Sequence, residues 1–362
     1  MLLAIDVGSG LTKAIFDDQL WYIPSVVAPS NLSNNIFVDD ANTSERITMA
    51  NGCTYFVGQT AMANTKPNDR SKTTSGSWFE SNGSLILHLA TIARAYPEGK
   101  TGVVAIVTGL PMSKYLDVKA VSLMKKSLIG HHKFSTEKGQ YDLDITDESL
   151  LIVPQALGLH LRAISAELIK DSLFATDIVG YIDVGSFTSG FCQIQFNKLA
   201  AQYSDSVSKG MFHLATNMAP FLKEQFNFES NDISELLHHL KVGYINHRDF
   251  KGKDLKIDLL EESIPFIDET FKDVVNWINK NWRPNSMQLI ISGGGAKYLL
   301  PYLQRKYPHI RLLNPVELSK GASGGKVTSA SFHKASEAAI FDVVHGYAAY
   351  GNKVRHGESA NG

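Results

Sequence analysis

The chain has 362 residues, more than one ordinary hydrophobic core accommodates, and its 44% apolar and 20% charged residues are the balance of a folded globular protein of two domains. Its 35 Lys and Arg face 36 Asp and Glu, so no global field holds it to nucleic acid or to an anionic membrane, and a DNA partner would require an adaptor. Cys53 and Cys192 stand far apart without ligand-like neighbours, so neither a disulfide framework nor a zinc site is indicated, and a reducing cytoplasm fits.

The apolar run from Leu2 to Ile5 predicts a buried strand that turns at Asp6. It has no basic flank, so it reads neither as a signal peptide nor as a membrane anchor, and no other apolar run is long enough to span a bilayer. The turn reads Asp6, Val7, Gly8, Ser9, Gly10, Leu11, Thr12, Lys13. Its glycines let the backbone bring N–H groups against phosphate oxygens, while the Ser9 hydroxyl and the Lys13 ammonium add donors and charge; this is the chemistry of a phosphate cradle. Lys13 stands where a dinucleotide fingerprint needs its third glycine, and no strand is followed by P-loop spacing. The nearest approach to a P-loop, Gly321 to Lys326, is followed by Val327 and reads as a surface loop.

A short polar stretch from Asn31 to Trp78 comes next. An amphipathic helix is expected over 114–129, with Tyr115, Val118, Val121 and Leu128 among lysines, and another over 154–170, with Leu157, Leu161, Ile164 and Leu168 on one stripe. The run from Ile178 to Ile182 predicts a further strand. With it the pentapeptide Ile-Asp-Val-Gly-Ser of residues 5–9 returns at 182–186, so the chain reads as two similar halves, each opening with a strand and a tight turn. Pro265 marks the expected start of a helix whose apolar stripe is Ile267, Phe271, Val274, Val275 and Ile278, and Pro284 stops it after Trp282. A strand over 287–291 follows, then Ser292, Gly293, Gly294 and Gly295, then a helix through Tyr298, Leu299 and Leu303. Strands alternating with helices make the class α/β. His131 and His132, and His238, His239 and His247, lack carboxylate or cysteine partners at ligand spacing and read as solvated faces. From Lys353 to Gly362 the apolar periodicity is lost, and this end reads as a frayed tail.

The pattern from Asp6 to Lys13, followed by Ala14, resembles the first phosphate loop of actin, and Asp183, Val184, Gly185, Ser186, Phe187, Thr188 resembles the second phosphate loop of the same superfamily, which also holds Hsp70 ATPase domains and sugar kinases. The stretch from Leu289 to Tyr298 resembles its adenosine loop, and 152–158 and 341–351 resemble its two connecting helices. All five occur in the family's order over almost the whole chain. Gly109, Leu110, Pro111, Tyr115 and Lys125, and the ending from Val344 through Gly351 and Asn352, are similar to the plasmid-segregation actins of the ParM type, traits shared with archaeal actin-like proteins. Phe187 and Gly190 depart from the ParM-like second loop, which has a glycine and an acidic residue at or near those places.

The resemblance implies an actin-like fold: two lobes of duplicated ribonuclease-H-like core with a nucleotide cleft between them. Lobe one would be 1–154, with 31–78 as its smaller subdomain on a core of 1–30 and 79–154. Lobe two would be 155–340, with 206–284 as the smaller subdomain on a core of 155–205 and 285–340. The helix of 341–352 would cross back to lobe one. ATP with magnesium is implied, the metal held through water by Asp6 and Asp183, whose carboxylates would otherwise repel at the phosphates. Gly8, Ser9, Gly10, Leu11, Thr12, Lys13, Gly185, Ser186, Phe187 and Thr188 would bind phosphates. Lys209 and Gly210 would touch ribose or base, and Gly293, Gly294, Gly295 and Tyr298 the adenosine. Gln155 would orient the attacking water, giving a slow ATPase. The implied function is a filament that grows with ATP and moves a plasmid through a DNA-binding adaptor, in the cytoplasm, without touching nucleic acid or membrane itself. A sugar or small-acid kinase and an ATP-regulated scaffold are the alternatives within the superfamily.

Overall fold

The computed structural model describes residues 2–32, 45–71, 78–165, 178–230, 232–248, 252, 254–313 and 339–355. The chain divides into two compact units, one of Met1–Leu110, Lys114–Gly158 and Val344–Gly362, the other of Pro111–Ser113 and Leu159–Val343. Each has its own hydrophobic core.

The first unit opens with β1 (Leu2–Val7), β2 (Leu11–Phe16) and β3 (Gln19–Pro24), an antiparallel meander. There follow β4 (Val27–Pro29), β5 (Arg46–Met49), β6 (Thr54–Val57), α1 (Gly58–Asn64), α2 (Asn82–Ala95), β7 (Gly99–Val103), β8 (Ala105–Leu110), α3 (Met112–Tyr115), α4 (Val118–Leu128), β9 (Gly130–Ser135), β10 (Gln140–Ile145), β11 (Leu150–Pro154) and α5 (Gln155–Ser165). The core sheet runs β11-β8-β1-β2-β3, with β8 parallel to both of its neighbours. All six residues of β8 are buried, as a central parallel strand covered on both faces requires. Buried His88 of α2 ties that helix down, one ring nitrogen on the Ser84 carbonyl at 2.9 Å and the other on the Thr108 hydroxyl of β8 at 3.1 Å. Burial lowers its pKa to about 4, so it is neutral at physiological pH.

The second sheet of this unit runs β4-β6-β5-β9-β10-β7. Pairing of Thr48 with Ser135 joins its two halves, so β7, β9 and β10 share a sheet with β5 and β6 of the 31–78 stretch. The helix expected over 114–129 is interrupted at Leu116 and Asp117, because the Asp117 carboxylate accepts the Lys119 N–H at 2.9 Å and caps a new helix there. Residues 33–44 and 72–77 of the polar stretch lie outside the described residues, as do 166–170 of the second expected helix.

The second unit continues with β12 (Ile178–Val184), β13 (Ser189–Gln195), β14 (Lys198–Leu199), β15 (Asp205–Val207), α6 (Met211–Phe226), α7 (Ile233–Val242), β16 (Tyr244–Arg248), β17 (Asp254–Asp258), α8 (Leu259–Asn281), β18 (Gln288–Ser292), α9 (Ala296–Lys306) and β19 (Arg311–Leu312). Its sheet runs β14-β13-β12-β18-β19. This is the core sheet of the first unit again: the strand bearing the pentapeptide pairs antiparallel with the next strand and parallel with a later one, itself parallel to the last. Helix α8 begins six residues before Pro265, where Asp258 accepts the N–H groups of Leu260 and Glu261 at 2.9 and 3.3 Å. Pro265 lies on the exposed side, and the acidic cap and the buried stripe outweigh the one backbone hydrogen bond it forgoes.

The chain closes with α10 (Asp342–Arg355). This helix takes in Lys353–Arg355 of the expected tail; residues 356–362, and the loop at 321–326, lie outside the described residues. Within the first unit, Gly346 of α10 meets Gly158 of α5 so closely that a Cβ on Gly346 would collide with the Gly158 carbonyl oxygen, a backbone atom that cannot rotate away. Gly346→Ala should cost roughly 1–3 kcal/mol as an overpacked contact, read as a lowered midpoint in urea unfolding.

Candidate functional site

Asp6 is the penultimate residue of β1, in register with Lys13 of β2, and Val7 pairs with Thr12. Between them the four residues Gly8–Leu11 turn, closed by the Gly8 N–H on the Leu11 carbonyl at 3.1 Å. Buried Ser25 supports the turn: its hydroxyl donates to the Gly8 carbonyl at 2.6 Å, its N–H donates to the Gly10 carbonyl at 3.0 Å, and Thr12 shares a hydrogen bond with it at 2.9 Å. Asp6 is only 2% exposed and forms an ion pair with Lys13; the Gln155 side-chain amide donates to its Oδ1 at 2.8 Å.

The second turn repeats this register. Asp183 pairs with Gly190 and Val184 with Ser189, the four residues Gly185–Thr188 turn between them, and the Gly185 N–H closes on the Thr188 carbonyl at 2.9 Å. Its support is different. The N–H groups of Met211 and Phe212, at the start of α6, donate to the carbonyls of Gly185 and Ser186 at 3.1 and 2.7 Å. The Ser189 hydroxyl donates to the Lys209 carbonyl at 2.6 Å, and a Cβ on Gly210 would stand 2.7 Å from the Gly185 oxygen. Phe187 packs on Phe212 and His213, with ring centroids 5.6 and 5.3 Å apart. Burial, with the Lys209 charge, holds the His213 pKa below its ordinary value, consistent with its ring nitrogen accepting the Gly210 N–H at 3.3 Å.

Beyond β18 the three glycines fold back on β12. Gly293 has φ of +91°, and a Cβ there would collide with the Asp183 carboxylate; the Gly295 N–H donates to the Val184 carbonyl at 2.9 Å. The second unit thus brings together the turn after Asp183, the Lys209–Gly210 pair and the glycine loop.

Residues 4–158 match the family model for the N-terminal domain of actin-like proteins. An archaeal actin homologue is similar over 98% of this chain and 99% of its own, with a TM-score of 0.74 at 17% identity. The chain has the actin-like fold. The ADP complex of that archaeal homologue matches at 18% identity over 96% of this chain and 97% of its own, with a TM-score of 0.70. The structure of a 15-stranded ParM filament from Clostridium botulinum matches at 20% identity, over 97% of this chain and 99% of that one, with a TM-score of 0.69. No curated protein matches the sequence.

Within the actin-like fold, several expected site residues have other partners here. Thr12 is buried against Ser25, and Tyr298 is buried, its hydroxyl donating to the Leu240 carbonyl at 2.6 Å. Lys209 lies 3.5 Å from the Asp273 carboxylate. Among the described residues no three His, Cys, Asp or Glu side chains cluster as a metal cage; a magnesium ion that keeps its waters needs none. Ser25 was not expected, since a lone serine after a strand carries no pattern. Asp342 was not expected either. It is buried at the start of α10, accepts the Ser292 hydroxyl at 2.5 Å just before the glycine loop, and lies 3.8 Å from Arg162.

Burial raises the Asp342 pKa to about 6, against the opposing pull of Ser292 and Arg162. The folded state then holds this proton more tightly than the unfolded chain, so its contribution to stability is largest below the ordinary carboxylate range and declines as pH rises to about 6. Asp342→Asn should flatten that part of the profile: thermal unfolding from pH 4 to 7 should show the variant gaining on the parent by up to about 3 kcal/mol.

Proposed function

We propose that the chain binds Mg-ATP with the turns after Asp6 and Asp183, hydrolyses it slowly, and assembles with copies of itself into a dynamic filament. The filament would segregate a plasmid through a DNA-binding adaptor, in the cytoplasm. The observation that carries the reading is the repeated turn: the same register, the same closing hydrogen bond and an aspartate at the same place in both units. The ADP complex of an archaeal relative supports a nucleotide in such a fold, and the ParM filament supports self-association. The near-zero net charge favours an adaptor over direct DNA contact.

The residues fit the group they would hold. Backbone N–H groups of the two glycine turns offer donors to phosphate oxygens, and Lys13, 17% exposed, offers a cation at the first. Asp6 and Asp183 would carry magnesium through its waters, and the ion would supply charge neutralisation at the phosphates. Lys13 is on Asp6 in this structure, so phosphates compete with Asp6 for it, and the Gln155 amide keeps Asp6 partnered while Lys13 turns away. Released from Asp6, the same amide can orient a water but is a poor base, which makes hydrolysis slow and suits a timer. Lys209, Gly210 and Gly293–Gly295 would border the nucleoside.

Purified protein mixed with Mg-ATP should show right-angle light scattering that rises before phosphate release, with both absent in Asp183→Ala. Phosphate release without scattering at any concentration would overturn the filament and favour a kinase or an ATP-regulated scaffold. Lys13→Gln keeps a donor for Asp6 while removing the cation. It should fold normally by circular dichroism yet bind a fluorescent ATP analogue about tenfold more weakly or worse, the usual loss for a charge-assisted hydrogen bond.

A further inference from the structure

The duplication extends to the hairpins, and there one residue breaks the local rules. In the first unit β2 and β3 are joined by Asp17 and Asp18, with φ of 50° and 61°. The corresponding turn, between β13 and β14, is made by Phe196 and Asn197, with φ of 51° and 58°. Two successive left-handed residues make the tight hairpin turn that Asn, Asp and Gly occupy readily, and Asp17, Asp18 and Asn197 conform. A bulky aromatic at positive φ is strained. The first hairpin makes the same turn with aspartate, so the turn itself does not need Phe196.

Nor does Phe196 serve the core: it is 61% exposed. Tyr203, 41% exposed, ends a short turn that runs along β13, to which the Ala200 N–H bonds through the Gln193 carbonyl at 2.9 Å. From Gln193 to Tyr203 the only charged residue is Lys198, so this edge offers nothing for a phosphate backbone or lipid headgroups. Strain and exposure together, at a place where the duplicate shows the cheaper solution, mark a residue kept for a contact outside the chain.

We infer that Phe196 is an anchor residue of the contact between successive copies of this chain, inserted into an apolar surface of the neighbour. This rests on the filament reading proposed above. A hairpin tip that meets a different surface makes a heterologous contact, the kind that propagates instead of closing into a dimer. The first unit has exposed large apolar side chains of its own, among them Leu116 and Val118, ahead of and at the start of α4.

Phe196→Asp installs the residue of the equivalent turn. It should melt no lower than the parent and bind the fluorescent ATP analogue equally well, while the critical concentration for Mg-ATP-dependent scattering rises about tenfold or more, as for a truncated interface anchor. A photo-crosslinking p-benzoylphenylalanine at position 196 provides a second readout, independent of how the aspartate variant folds; under assembling conditions it should yield a ladder of linked copies. An unchanged critical concentration, or scattering without crosslinks, would overturn the anchor and leave the filament standing. A parent protein that never scatters would remove the filament, and the contact with it.

Discussion

A carboxylate buried at the end of a central strand has to be neutralised, and the first unit is arranged around doing so for Asp6. The antiparallel register of β1 and β2 sets Lys13 directly across from it. The sheet order then carries the chain from β1 through β8 to β11, so that the first residue of α5, Gln155, reaches the same carboxylate. A buried charge stripped of its partners costs several kcal/mol. The strand order, the turn and the start of the helix are therefore coupled through one side chain. Any ligand that draws Lys13 away acts on all three.

The second unit keeps the geometry and changes the charge. Gly190 stands across from Asp183 where Lys13 stands across from Asp6, so the second turn has no lysine at that register position. The second turn is instead braced by the N-terminus of α6, whose Met211 and Phe212 N–H groups go to turn carbonyls, and by Gly293, whose missing side chain makes room for the Asp183 carboxylate. The two halves thus suit different tasks, a cation with a polar relay in the first and a rigid backbone cradle in the second.

Much of the fold was legible because it rests on local patterns. Ile5 to Ser9 and Ile182 to Ser186 announce the duplicated strand and turn, and the apolar stripe from Ile267 to Ile278 announces the longest described helix. What escaped depended on partners far along the chain. Pro265 reads as a helix start in the sequence because the competing cap, Asp258, sits at the end of a strand that alternation alone does not delimit. Ser25 and Asp342 matter through Gly8 and Ser292, contacts that no spacing rule predicts. Tyr298 lies one helical turn after the glycine loop, and only packing of its ring against the unit's core decides that its hydroxyl goes to Leu240.

The central proposal is that the turns after Asp6 and Asp183 bind the phosphates of a nucleotide. A crystal or cryo-electron-microscopy structure of the chain with magnesium and a non-hydrolysable ATP analogue tests it most directly. The account predicts phosphate oxygens within hydrogen-bonding distance of N–H groups in both turns, 8–11 and 185–188, with the Lys13 ammonium moved from Asp6 onto phosphate. A nucleotide bound elsewhere, with Lys13 still on Asp6, would contradict it.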